Sequence, residues 1–103
     1  MDKIAALTEI LQQNPSDAFA RYGLAMELAS RGDLTAALEN FAQLLEAHPD
    51  YTAGYFMAAQ TLQRAGRIDE ARGRLRRGIA SAARTGNHHA QAEMQAALDE
   101  LTV

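Results

Sequence analysis

The chain has 103 residues, a net charge of −3, two prolines and no cysteine; 48% of its residues are hydrophobic and 6% aromatic. That length suits one domain, and the missing cysteine excludes a disulfide scaffold and a thiolate zinc site. No span approaches the roughly 20 apolar residues of a membrane helix, and the run Ile4–Leu7 is too short for a signal-peptide core, so the reading is a soluble, cytoplasmic chain rich in helix-forming residues.

Residues 2–13 predict a helix with one apolar face at Ile4, Leu7, Ile10 and Leu11. Asn14-Pro15-Ser16-Asp17 breaks it and starts a second helix over about 16–30. There Phe19, Tyr22, Leu24, Ala25, Met26 and Leu28 cover more than one face, so this helix needs neighbours on two sides. Gly32 is a stop, and a third helix spans about 33–47, with Leu34, Ala37, Leu38, Phe41, Leu44 and Leu45 inward. After His48-Pro49-Asp50 comes a fourth, about 50–64, apolar on two faces through Tyr55, Phe56, Ala58, Ala59 and Leu62. Gly66 ends it. The fifth covers 68–84, with Ile68, Ala71, Leu75, Ile79 and Ala82 inward. Gly86-Asn87 is a stop and a cap, and the sixth, 87–101, carries the one-sided stripe Ala90, Met94, Ala97, Leu98 and Leu101. Loops this short force antiparallel neighbours. The fold class is all-α, built of about six antiparallel helices.

Charge is spread unevenly. Residues 1–50 carry eight acids against three cations, residues 64–84 seven arginines against two acids, and the last segment is acidic again.

The pattern repeats. At an offset of 34 residues Pro15 meets Pro49, Ala25 meets Ala59, Leu28 meets Leu62, Gly32 meets Gly66 and Ala37 meets Ala71. Tyr22/Phe56, Leu34/Ile68, Phe41/Leu75 and Leu45/Ile79 match in class, and Leu7 and Leu11 precede Phe41 and Leu45 by the same interval. A helix–turn–helix period of 34 is the tetratricopeptide signature, and the chain resembles that family from Pro15 to about Ile79. It departs where the family favours tryptophan (Arg21, then Tyr55) and later tyrosine (Leu28, Leu62) in the first helix. Ala83 stands where a second closing proline belongs, so the fifth helix should run about one turn long. The resemblance divides the chain into a leading half-repeat (2–13), repeats 15–48 and 49–82, and a C-terminal capping helix (87–101). Two repeats alone would be marginal, because one unit cannot bury its apolar face; both ends are read as caps.

In that family the first helices of the repeats line a concave groove. The resemblance implies a peptide- or protein-binding groove from Phe19, Tyr22, Met26 and Ser30, then Phe56, Gln60, Gln63 and Arg64. Aromatic and methionine anchors suit an extended peptide or amphipathic helix. Alternatively the same side chains pack on the chain's own first or last helix. The lysine, arginine and asparagine clamp with which some members hold a chaperone's C-terminal carboxylate is replaced by Tyr22, Met26 and Gln60. An apolar groove left open favours a partner or a second copy of the chain, a homodimer.

A second candidate is an acidic-partner patch of Arg72, Arg74, Arg76, Arg77 and Arg84. Its alternative is a solvated face, with Asp69 pairing Arg72 and Glu70 pairing Arg74. The acidic balance and the lack of a recognised motif argue against nucleic acid. Catalytic signals are weak. Gly73 to Gly78 has phosphate-loop spacing, but Ile79 and Ala80 stand where lysine and a hydroxyl are needed, inside a helix. His88 and His89 diverge by about 100° on a helix. His89 and Glu93 share a face without a third ligand. Ser16, Ser30 and Ser81 have no nucleophile turn. The reading is a non-enzymatic protein-interaction module with no cofactor and no metal; a self-associating helical-repeat protein is the alternative.

Overall fold

A computed structural model describes residues 2–102. It contains α1 (Lys3–Gln13), α2 (Ala18–Ser30), α3 (Leu34–Ala47), α4 (Thr52–Arg64), α5 (Ile68–Arg84) and α6 (His88–Leu101). The described residues are all helix and turn. None of the helices is long and apolar enough to cross a membrane. Consecutive helices pack on one another, and α2–α4 and α4–α6 also touch. The even-numbered helices therefore form an inner layer, with α1, α3 and α5 outside it.

The helix starts sit later than their capping residues. Asp17, Asp33 and Asn87 accept hydrogen bonds from the backbone N–H groups of Ala20, Ala36 and Ala90, so each caps its helix from outside. Asp2 does not cap α1, because its carboxylate accepts instead from the Arg31 guanidinium at 2.6 Å. Tyr51 precedes α4 without a side-chain cap, and Pro49 and Asp50 fall in the turn.

Two turn types alternate. After α2, α4 and α5 the chain turns at Gly32, Gly66 and Gly86, with φ of 82°, 76° and 70°. In each, the glycine N–H reaches back three residues and the next N–H five: Gly32 to Ala29 and Asp33 to Leu28, Gly66 to Gln63 and Arg67 to Leu62, Gly86 to Ala83 and Asn87 to Ala82. Only glycine holds this left-handed position without a Cβ penalty. The proline turns also match at the repeat interval: Asn14 N–H bonds Ile10 and Asp17 N–H bonds Asn14, as His48 N–H bonds Leu44 and Tyr51 N–H bonds His48. The third such turn is lost with its proline. Helix α5 has 17 residues where α3 has 14, and it ends on a glycine turn instead.

Helices cross where side chains are small. Ala25, Ala37, Ala71 and Ala82 are fully buried, and Phe41, Leu44, Leu75 and Met94 are each only 1% exposed. A smaller cluster of Leu11, Ala20 and Leu24, with Ile4, Leu7 and Leu28 against it, seats α1 on α2. Of the glycines, Gly78 is the most closely packed. A Cβ there would lie 2.6 Å from the Tyr55 Cβ and collide with the Met94 sulfur, so α4, α5 and α6 converge on it. The glycine pair with phosphate-loop spacing is thus split: Gly78 is a packing contact, while a Cβ on Gly73 meets nothing within 4 Å. Beside it, the buried Thr52 and Ser81 hydroxyls bond at 2.8 Å and join α4 to α5.

Two outcomes follow for urea denaturation. Phe41→Ala should cost about 3–5 kcal/mol, as truncation of a buried aromatic does; a loss below about 1 kcal/mol would rule out its place in the core. Gly78→Ala should destabilise by about 1–3 kcal/mol through overpacking, whereas Gly73→Ala on the same helix should stabilise by about 0.5–1 kcal/mol.

Candidate binding groove

The inner layer is concave between α4 and α6, and Phe56 stands in the middle of it. On one side lies a cavity of about 320 Å³, walled by Tyr22, Thr52, Ala53, Phe56, Met57, Asn87, His89, Ala90, Glu93 and Met94. On the other lies a cavity of about 170 Å³, which includes Phe56, Gln60, Gln63, Ala97, Glu100 and Leu101 in its walls. The last helix thus forms one wall of the groove without filling it. That wall is acidic, with Glu93 and Glu100 two turns apart.

Tyr22, Phe56, Gln60 and Gln63 are brought together here. Four other expected groove residues are not; one of them, Ser30, is exposed at the end of α2 and borders neither cavity. Phe19 is 77% exposed and borders neither cavity. Met26 packs half-buried against the main core. Arg64 donates to the Ala29 carbonyl at 3.0 Å, so it satisfies the C-terminal end of α2. Tyr22 itself has two attachments. Its ring lies 5.2 Å from Tyr51 and 6.4 Å edge-on from Phe41, so it is half wall and half core.

Asn87, His89, Ala90 and Glu93 were not among the expected groove residues, yet they line the larger cavity. The extra residues at the end of α5 move the register by two: Asn87 follows Tyr51 by 36, and Met94 and Leu98 follow Ala58 and Leu62 by the same interval. His89 Nε2 lies 3.8 Å from a Glu93 carboxylate oxygen. The described residues hold no group of three metal-ligating side chains.

The tetratricopeptide repeat family model matches residues 28–100. The chain belongs to the tetratricopeptide repeat family. A TPR repeat-containing protein of Pseudomonas aeruginosa is 32% identical over 98 residues, which cover 95% of this chain and 93% of that protein. The solution NMR structure of a tetratricopeptide repeat domain protein from Salinibacter ruber has a TM-score of 0.80 at 32% identity, over 85% of this chain and 89% of that one. PcrH, solved with the chaperone binding region of PopD, shares the fold with a TM-score of 0.90 at 21% identity, over 96% of this chain and 75% of that one.

The tetratricopeptide framework also explains the substitutions at the family's tryptophan position. Arg21 and Tyr55 are 34 residues apart, and each reaches the carbonyl of a proline six residues before it: Arg21 donates to Pro15 at 3.3 Å and Tyr55 to Pro49 at 2.7 Å. Different side chains thus hold the same turn. Of the arginine patch, Arg72 is not free: it pairs with Asp69, and its Nε donates to the Leu101 carbonyl at 2.9 Å. Arg84 donates to Asp50 at 2.7 Å. Glu70 does not pair with Arg74. It takes Arg67 in a two-bond fork at 2.6 and 2.7 Å.

Burial, and secondarily Tyr51, raises the Tyr22 phenol above its ordinary value; burial, and secondarily Asp17, does the same for Tyr51. A phenol with a raised folded-state pKa binds its proton more tightly folded than unfolded. Its contribution is complete below the ordinary tyrosine range and is lost as pH rises through the raised value. The denaturation midpoint should therefore fall above about pH 10, and the double variant Tyr22→Phe/Tyr51→Phe should flatten that fall. An equal slope in both proteins would assign the loss to other groups.

Proposed function

We propose that this protein is a protein-interaction module, not an enzyme, whose groove takes an extended peptide or an amphipathic helix of another protein. Repeats 15–48 and 49–82 would present it, with 2–13 and 87–101 as the closing elements. The observation that carries this reading is the pair of cavities on either side of Phe56, lined by the inner helices. Two sockets with one aromatic between them suit a ligand that inserts alternate side chains and lays its backbone over the ring. The bound state of PcrH offers a precedent in the same fold.

Tyr22 is a poor test, since its loss would also strip a ring from Phe41 and Tyr51. Ala53 is exposed and borders only the larger cavity, so Ala53→Arg should block that socket without touching the core. A partner retained from the native cell by the unaltered protein should be lost with Ala53→Arg and weakened about tenfold or more by Phe56→Ala, at little change in melting temperature for the former. Undiminished capture by Ala53→Arg would sink the groove reading. The exposure of Phe19 and of Ile10 (45%) favours self-association as a second reading. Light scattering over a wide concentration range tests it: a monomer throughout would eliminate it.

A further inference from the structure

The outer face of α5 carries charges that the fold does not use. Seven arginines lie between residues 64 and 84. Arg64, Arg67, Arg72 and Arg84 have the partners described above. Arg74, Arg76 and Arg77 have no hydrogen bond or ion pair among the described residues. Arg74 and Arg77 are one turn apart and wall, with Gly73 and Glu70, a cavity of about 240 Å³. Arg74 also walls a second cavity of about 240 Å³, which reaches inward to Leu38, Phe41, Ala58 and Leu62. Its side chain is half-buried between the two.

A guanidinium taken partly out of water is stabilised by a counter-charge. Glu70 is the one acid in these walls, and both of its oxygens already bind Arg67. Counting those two as neutral, Arg74 and Arg77 leave two positive charges on one small cavity. Burial first, and the neighbouring Arg77 second, pull the Arg74 guanidinium below its ordinary value, the direction expected of a desolvated cation beside a like charge. Gly73 leaves the floor open between them, with nothing within 4 Å of where a Cβ would stand.

We infer that Arg74 and Arg77 form an anion site on the outer face of the tetratricopeptide fold, and that its ligand is a phosphate monoester group. A monoester carries about −1.5 to −2 charge at neutral pH and three acceptor oxygens, enough for both guanidiniums. A carboxylate would leave one of them uncompensated. A nucleic-acid strand spreads single charges along its length and calls for a basic stripe, which Arg72 and Arg84 do not supply because they are paired. Arg76 lies outside both cavities and serves as an internal control.

The test titrates the full chain at constant ionic strength and follows the arginine Nε–H signals by NMR. The probes are inorganic phosphate, a short phosphoserine peptide, the same peptide with aspartate in place of phosphoserine, and a single-stranded RNA oligonucleotide. Phosphate and the phosphopeptide should shift the Arg74 and Arg77 signals saturably. Tighter saturation by the phosphopeptide identifies a phosphorylated protein as the source; equal saturation identifies the free ion. Arg77→Gln and Arg74→Gln should each weaken binding about tenfold or more, and Arg76→Gln less than about twofold. Arg77 is exposed, so its variant remains informative even if the Arg74 variant folds poorly. Equal binding of the aspartate peptide, preferential binding of RNA, shifts that never saturate, or an equal loss in Arg76→Gln would each overturn the inference.

Discussion

Close approach of helix backbones at small residues is the constraint on which this molecule depends. Two helices pack at short range only where their contact positions carry little side chain. Ala25, Ala37, Ala59, Ala71, Ala82 and Gly78 supply those positions, and large side chains such as Phe41, Leu75 and Met94 fill the space beside them. Ala25 and Ala37 recur as Ala59 and Ala71, so the two repeats cross their own helices in the same way, whereas Gly78 and Ala82 are small only in the second repeat, where α6 packs. The concave face is a consequence of that repeated crossing. No groove residue creates it.

The arginines show how a surface can be sorted into structural and unused charge. Arg64 bonds a carbonyl at the end of α2, Arg72 one at the end of α6, and Arg21 the Pro15 carbonyl. The α6 end exposes a carbonyl that Arg72 reaches from a neighbouring helix, the Ala29 carbonyl takes Arg64 in addition to the Gly32 N–H, and Arg21 holds the turn before its own helix. Arg31 and Arg84 instead tie segments distant in sequence, to Asp2 and Asp50. These exposed pairs each add little to stability. What they settle is which guanidiniums remain available: Arg74, Arg76 and Arg77 are left without a partner among the described residues, and of these Arg74 and Arg77 share a cavity.

The groove has a similar division of labour. Phe56 separates two cavities, α4 supplies apolar and amide walls, and α6 supplies carboxylates. Tyr22 belongs both to the wall and to the stack on Tyr51 and Phe41. Its position therefore links the shape of the groove to the packing of the core beneath it. Altering the wall at Tyr22 disturbs the support; altering it at Ala53 does not.

Much of this was legible in the chain itself. Helix number, the glycine and proline turns, the alanine crossing points and the lengthening of α5 follow from local chemistry: left-handed backbone needs glycine, proline breaks a helix, and an apolar stripe needs a neighbour. Those rules act over a few residues, and the 34-residue period carries them along the chain. The sites of Phe19, Met26, Arg64 and the α6 wall were not legible in the same way. They depend on which neighbour each side chain meets, and a two-residue register change at the end of α5 decides that for all of α6. Pairing of Glu70 with Arg67 rather than Arg74 is equally a choice between two reachable partners. By itself, then, the sequence determined six helices, their order and the family they build, because backbone conformation is set locally. Only the tertiary structure decided which side chains face the groove and which arginines lack a partner, because those depend on distances between helices far apart in sequence.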